Sequence, residues 1–468
     1  MDTVSAATDR RQPPLWVALI TRLHFYVGLF VGPFLLVAAL SGIAYALTPQ
    51  LENWLYHDAL TTQSRGEPQP ISHQIEAAQV AAGISVAPAA VRPASAPGAT
   101  TRVMFAGEGL GPSEHRALFI DPVTLALRGD MTVYGTSGVL PLRTAIDQFH
   151  RSLLLGDLGR LYSELAASWL WIAALGGGFL WWRRRIRRRA AGPQRLRQRH
   201  ATLGTVALIG LLFFSATGLT WSQWAGGNIA QLRHAWGWGT PSVSTNLAAP
   251  TPTSVEPTAA APSDPHAEHH VAASHTAMAT SRPTSSPGDF DLALAAARAA
   301  GIDADRLEIV PPNSPTTAWK IREVGREWPT QVDQIALDPQ TFAVTDRADF
   351  ATFPLAAKLT RWGIDLHMGV LFGLPNQLAL VAFASCLVTL ICWGYAMWWR
   401  RRTAASREPQ TLTAIFRLMD RRSRLVVLLV ATAFGYALPV MGASLLLFVA
   451  VDYLRWRAGV RQQVAQTA

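Results

Sequence analysis

Four runs of the chain stay apolar for long enough to cross a bilayer as helices: 23–47, 161–182, 201–221 and 374–399. A hydrocarbon core of about 30 Å takes about 20 helical residues. Arginine clusters precede the first and third runs and follow the second and fourth. The chain then runs in–out, out–in, in–out, out–in, with 1–22, 183–200, 400–424 and a tail, 455–468, in the cytoplasm. Ala44-Tyr45-Ala46 looks like a cleavage signal, but the first run is longer than a signal-peptide core and reads as an anchor. A last apolar stretch, 425–454, has arginines on both flanks and Pro439 near its middle, which favours a hairpin returning to the cytoplasm over a single span.

Outside lie 48–160 and 222–373. In each, an Ala-rich helical pattern (Gln74 to Ala82; Leu292 to Ala300) precedes an alternating strand pattern ending in an Asp-Pro turn (Arg116 to Ile120 with Asp121-Pro122; Gln334 to Leu337 with Asp338-Pro339). Two small α+β modules are expected. Residues 241–287 are rich in Ala, Pro, Ser and Thr and read as a disordered linker. The expected fold is a mainly α integral membrane protein with an internally duplicated four-helix core, a C-terminal helical hairpin and two external modules.

Composition narrows the function. Of the 41 basic residues, 23 sit in the four cytoplasmic segments against four acids, leaving 18 bases against 27 acids elsewhere. The charge is accounted for by topology, so no basic face is left for nucleic acid. Cys386 and Cys392 lie in one apolar run, which excludes a disulfide scaffold, an iron–sulfur cluster and a thiolate zinc site. No glycine-rich nucleotide loop and no nucleophile elbow is present.

The chain repeats itself. Asp121-Pro122 and Asp338-Pro339 each lie 29 residues before a histidine, His150 and His367. Each histidine precedes a glycine by six (Gly156, Gly373) and the string WWRRR by 31. The offset is 217 throughout. At an offset of 176, His24, Gly28 and Gly42 match His200, Gly204 and Gly218.

Symmetry thus singles out four of the twelve histidines: His24 and His200 at the cytoplasmic face, His150 and His367 at the outer face. Two equivalent imidazoles across a twofold axis can fill the axial positions of a haem iron. Gly28 and Gly204 share the face of their histidine and would clear room for a flat macrocycle; Gly42 and Gly218, five turns on, would do the same at the outer leaflet. Close helix packing is the other reading of these glycines. Arg22, Arg151 and Arg199 adjoin the histidines and can pair with haem propionates or serve as ordinary interfacial residues. Weaker candidates are Met368, His57, His234 and the linker run His266 to Met278, which reads either as a loose copper or iron site or as a biased linker without a formed site.

The strings RLHFYVGLFVGPFLLVAALSG, HRSLLLGDLGRL, RHATLG and DLHMGVLFG resemble the PepSY-associated transmembrane proteins, over roughly Arg22 to Arg402. The resemblance implies two PepSY-like periplasmic modules, two b-type haems held by His24, His150, His200 and His367, and a place in the bacterial inner membrane. Its members include siderophore reductases. The favoured expectation is a di-haem oxidoreductase that passes electrons from quinol or a cytoplasmic reductase to a ferric chelate; a cupric reductase, or a non-catalytic metal- or haem-handling protein, is the alternative. The long histidine-containing linker departs from the family's compact pattern.

Overall fold

The computed structural model describes residues 14–111, 113–135, 138–186, 195–247, 285–402 and 411–467. In chain order the elements are α1 (Leu15–Tyr26), a π-helical turn (Val27–Val31), α2 (Gly32–Ala46), α3 (Thr48–Leu55), α4 (His57–Leu60), α5 (Ile71–Ala82), β1 (Ala90–Arg92), β2 (Thr101–Phe105), β3 (Glu114–Ile120), β4 (Leu127–Tyr134), α6 (Pro141–Ser152), α7 (Gly156–Ile186), α8 (Arg195–Val206), α9 (Leu208–Thr220) and α10 (Trp224–Ala235). There follow α11 (Pro287–Ala299), β5 (Leu307–Val310), β6 (Trp319–Glu323), β7 (Gln334–Leu337), β8 (Val344–Ala348), α12 (Leu355–His367), α13 (Leu374–Arg402), α14 (Leu412–Leu418), α15 (Arg421–Ala437) and α16 (Pro439–Thr467). They form two compact units: 1–43, 150–229 and 381–468 in the first, 44–149 and 230–380 in the second.

The first unit is helical. Among the described residues, four helical stretches are long and apolar enough to cross a membrane: Leu15–Ala46, Gly156–Arg183, Leu374–Arg400 and Pro439–Gln462. The third expected span, 201–221, is instead two helices, α8 and α9, bent by 60° at Ala207. The last apolar stretch folds back at Leu438-Pro439, where proline cannot donate to the preceding turn. Gly435 and Gly442 meet in that hairpin so closely that a Cβ on Gly442 would lie 2.7 Å from the Gly435 carbonyl oxygen. Val27, Val31, Trp169, Leu170, Leu211 and Leu387 belong to the shared core.

The second unit corrects the expectation of two separate modules. All eight strands form one antiparallel sheet in the order β4-β3-β2-β1-β5-β6-β7-β8. Each four-strand meander would leave its first strand as a bare edge, an aggregation hazard; pairing β1 with β5, Val91 opposite Ile309, removes both edges at once. Helices α5 and α11 cover one face, burying Ile75, Ala78, Phe290 and Ala297 against Val103, Leu118, Ile309 and Trp319. Trp319 is 1% exposed and packs edge-on against Phe290, with ring centroids 4.9 Å apart.

The 217-residue spacing recurs in backbone detail. The register shift at Phe119/Ile120 has its counterpart at Ala336/Leu337. Asp121 Oδ1 accepts from Val123 N and Thr124 N, and Asp338 Oδ1 accepts from Gln340 N and Thr341 N. Leu125 and Phe342 both take positive φ, of 64° and 54°, and Gly156 and Gly373 both stand at 58°. These glycines turn the chain into α7 and α13, which explains the six-residue spacing after His150 and His367.

Residues 248–284 of the expected linker lie outside the described residues. Its ends are ordered parts of the fold, contrary to expectation: Val243 is buried with Ala336 and Ala357, Asn246 bridges to Thr317, and Ser286 caps α11 in a capping box with Asp289.

At the seam of the sheet, Glu308 accepts from Arg92 Nε at 2.7 Å and from Arg322 Nε at 2.9 Å. Burial pushes its carboxyl up, but the two guanidiniums outweigh burial and hold it at about 2. A depressed carboxyl stabilises the fold fully above its ordinary value of 4.5, and that contribution drains away as pH falls towards 2. Thermal denaturation in detergent should therefore fall more steeply below pH 4.5 for the parent protein than for Glu308→Gln; parallel curves would contradict this account of the seam.

Candidate functional site

In the first unit, His24 and His200 face each other. Their ring centroids are 6.4 Å apart and their planes are inclined at 84°. His24 Nδ1 lies 3.0 Å from the Ala173 carbonyl oxygen. A carbonyl only accepts, so Nδ1 carries the proton and Nε2 keeps a free lone pair. His200 Nδ1 is buried without a hydrogen-bond partner among the described residues.

Both rings line one cavity of about 260 Å³. Its wall is mostly apolar and unusually poor in side chains, with Gly28, Gly32, Gly177, Gly204 and Gly394 on it. A Cβ at Gly28 or Gly394 would meet nothing within 4 Å, and one at Gly204 would only touch Leu390 at 3.7 Å. A Cβ at Gly177 would stand 3.0 Å from His24 Cε1, so this glycine is what lets the imidazole lie against α7. The run Gly176-Gly177-Gly178 went unread in the sequence. Three helix-interior glycines, each about 1 kcal/mol worse than alanine, were the signal that could have found it.

The backbone is irregular beside both histidines. In a regular helix the Leu29 carbonyl would accept from residue 33, but that residue is Pro33, with no N–H. The chain widens into the π turn, in which Gly32 N reaches Val27 O, and Tyr395 Oη donates to the stranded Leu29 carbonyl at 2.6 Å. Gly32 admits the Tyr395 ring, 3.3 Å from where a Cβ would be. The break at Ala207 falls 176 residues after Val31, at the matching place in the other histidine helix.

The remaining candidates divide. His150 ends α6 with Nδ1 2.9 Å from Ser41 Oγ, and its carbonyl accepts from Tyr162 Oη at 2.6 Å. Gly42 makes room for this ring: its Cβ would lie 3.4 Å from His150 Cε1, so it clears space for the histidine itself. Gly218 serves helix packing, since its Cβ would come 3.1 Å from Ala167 Cβ. His367 closes α12 in the second unit, where the neighbouring Met368 sulfur lies 2.8 Å from Arg326 Nη1. Arg22 sits over the Phe25 and Tyr26 rings, 5.9 Å from each, and Arg199 is exposed; the arginine on the cavity wall is Arg197, two residues before the one expected. Arg151 is half-buried at the end of α6. His57 lies at the start of α4, 3.4 Å from Thr61 Oγ1, and His234 lies in α10.

Two long apolar spans, each preceded by a histidine-bearing turn, together with the paired odd helices, match a recognised pattern. The profile of the PepSY-associated TM region aligns with residues 21–401. The chain belongs to this family. No curated protein matches it. The PepSY-associated region so defined takes in α1 to α13 almost whole and leaves the α14–α16 segment outside it.

A group that needs two imidazoles fits the geometry of this family member's cavity. With metal–nitrogen bonds of about 2.0–2.1 Å, two axial imidazoles put their centroids roughly 6.3 Å apart, close to the distance observed here. No cluster of three or more His, Cys, Asp or Glu able to hold a bare ion occurs among the described residues. A haem brings its own four equatorial nitrogens and requires only the pair. Two substitutions test the packing. In protein prepared without haem, Gly28→Ala should fold at least as stably as the parent, because alanine in a helix gains about 0.5–1 kcal/mol over glycine and the added methyl meets open space. Gly177→Val should lower the thermal midpoint by pushing His24 off α7; equal midpoints for the two variants would contradict the placement.

Proposed function

We propose that this membrane protein is a haem-dependent oxidoreductase that passes electrons outward to a ferric chelate of the siderophore type and so releases Fe(II). The observation that carries the reading is the His24–His200 pair, 6.4 Å between centroids across a glycine-walled cavity. His24 and His200 would hold one haem b, and His150 and His367 a second. Haem, when bound, supplies reversible one-electron chemistry at neutral pH.

The chain's own work is placement and insulation. The Ala173 carbonyl keeps the proton on His24 Nδ1 and aims Nε2 inward. Gly28, Gly204 and Gly394 would leave room for a flat group. The wall is apolar, with Leu35, Leu170 and Leu387 on it. Arg197 on the same wall is the side chain suited to a propionate. The donor would be quinol or a cytoplasmic reductase. Transfer of one electron to Fe(III) frees the metal because hard oxygen chelators hold Fe(II) far less tightly.

We read the chain as two copies of one unit. The matched register shifts, Asp turns and left-handed glycines at a constant spacing support this. The distribution of arginines supports a bacterial inner membrane with the sheet-bearing unit on the periplasmic side.

Optical spectroscopy of full-length protein from cells supplied with porphyrin tests the ligand assignment. The parent should show two b-type haems; His24→Ala and His200→Ala should each lose one, and His24→Ala combined with His150→Ala should lose both. Unchanged haem content in His24→Ala would overturn the assignment.

A further inference from the structure

The sheet face turned away from α5 and α11 carries charge that packing does not require. Side chains alternate along a strand, so Arg92, Arg102, Glu308, Lys320 and Arg322 point opposite to Val91, Val103, Ile309 and Ile321. Arg102 pairs with Arg92 across β2 and β1, and Glu308 with Arg322 across β5 and β6. Pairing of Val91 with Ile309 puts Arg92 beside Glu308. One row of side chains thus crosses four adjacent strands as Arg102, Arg92, Glu308 and Arg322, with Lys320 two residues along β6 on the same face.

Four cations and one carboxylate make up this patch, and the next carboxylate that acts on Arg102, Glu52, is itself held by Arg143 at 2.7 Å. Glu308 is committed on both oxygens to Arg92 and Arg322. Arg102 donates to the Gly138 carbonyl at 3.0 Å and lies over the Phe119 ring at 5.1 Å. Neither it nor Lys320 has a carboxylate within 4.0 Å among the described residues. Burial, then the neighbouring Arg92, holds the Arg102 guanidinium down at about 10; burial, then Arg322, lowers Lys320. Like charges directly opposite on a sheet destabilise it, and sheltered cations in excess of their counter-ions are unfavourable. Such an arrangement stands where a ligand supplies the missing negative charge. The row is not sealed: the Arg92 and Arg322 side chains keep 12% and 23% of their exposure.

We propose that this row binds a polyanionic Fe(III) chelate of the tris-catecholate class. The proposal rests on the ferric-chelate reading above and names its substrate class. Three dianionic catecholates around Fe(III) leave a triple negative charge, which matches the excess of cations in the row, whereas three hydroxamates leave none. Guanidinium forks suit paired chelating oxygens.

The test is equilibrium dialysis of full-length protein in detergent, with Fe(III) tris-catecholate, a neutral Fe(III) tris-hydroxamate and inorganic phosphate as probes. The catecholate complex should bind, more weakly as salt rises. Lys320→Gln and Arg102→Gln should each weaken it by about tenfold, the loss of one charge-assisted contact, with hydroxamate retention and haem absorption unchanged. Lys320→Gln breaks no hydrogen bond among the described residues and carries the test alone if Arg102→Gln fails to fold. Parent-like binding in Lys320→Gln overturns the proposal, as does displacement of the chelate by an equal concentration of phosphate, which would mark a general anion site. A parent without haem absorption would sink the oxidoreductase reading while leaving the dialysis result standing.

Discussion

The membrane unit is organised around one hydrogen bond, from His24 Nδ1 to the Ala173 carbonyl. It fixes the tautomer, orients the ring towards His200 and ties α1 to α7. Its acceptor is a backbone carbonyl in a helix, open to a second donor because Gly177, with Gly176 beside it, carries no side chain to hold α1 away. Remove the glycines and the imidazole has nowhere to lie. Remove the carbonyl contact and the ring is free to turn its proton into the cavity. The glycine run lowers the intrinsic stability of α7, and the closeness of approach that it allows is what the pair of histidines needs.

A similar balance governs the irregular backbone. Within a bilayer an unsatisfied carbonyl has no water to turn to. Pro33 strands the Leu29 carbonyl, and the hydroxyl of Tyr395, from a helix more than three hundred residues away in sequence, satisfies it. The widened turn and the break at Ala207 both follow a histidine by about two helical turns. Both histidine helices are therefore irregular beside the cavity, the first held in its π turn by the Tyr395 hydroxyl and the second bent by 60° at Ala207.

Much of this was legible in the order of residues. Apolar runs, arginine placement and a repeated spacing located the first, second and fourth spans, the meeting of His24 with His200 and the Asp-Pro turns, because each is a local or periodic signal. The joining of two meanders into one sheet was not, since pairing of β1 with β5 links strands more than two hundred residues apart and leaves no local mark. The roles of Gly42 and Gly218 were also hidden: a glycine shows that something comes close, and only the fold tells whether it is His150 or Ala167. Arg197 was missed because adjacency in sequence was taken for proximity, while a helix turns neighbours about 100° apart. The charged row across β2, β1, β5 and β6 could not be seen before the register was known.

The account stands or falls on whether two imidazoles, nearly perpendicular, share one iron. Electron paramagnetic resonance of the oxidised full-length protein addresses this directly, because the angle between axial imidazole planes governs the anisotropy of a low-spin ferric haem. The 84° inclination of His24 and His200 predicts a highly anisotropic low-spin signal that disappears in His200→Ala. A high-spin signal alone, or a low-spin signal indifferent to both His24→Ala and His200→Ala, would contradict it.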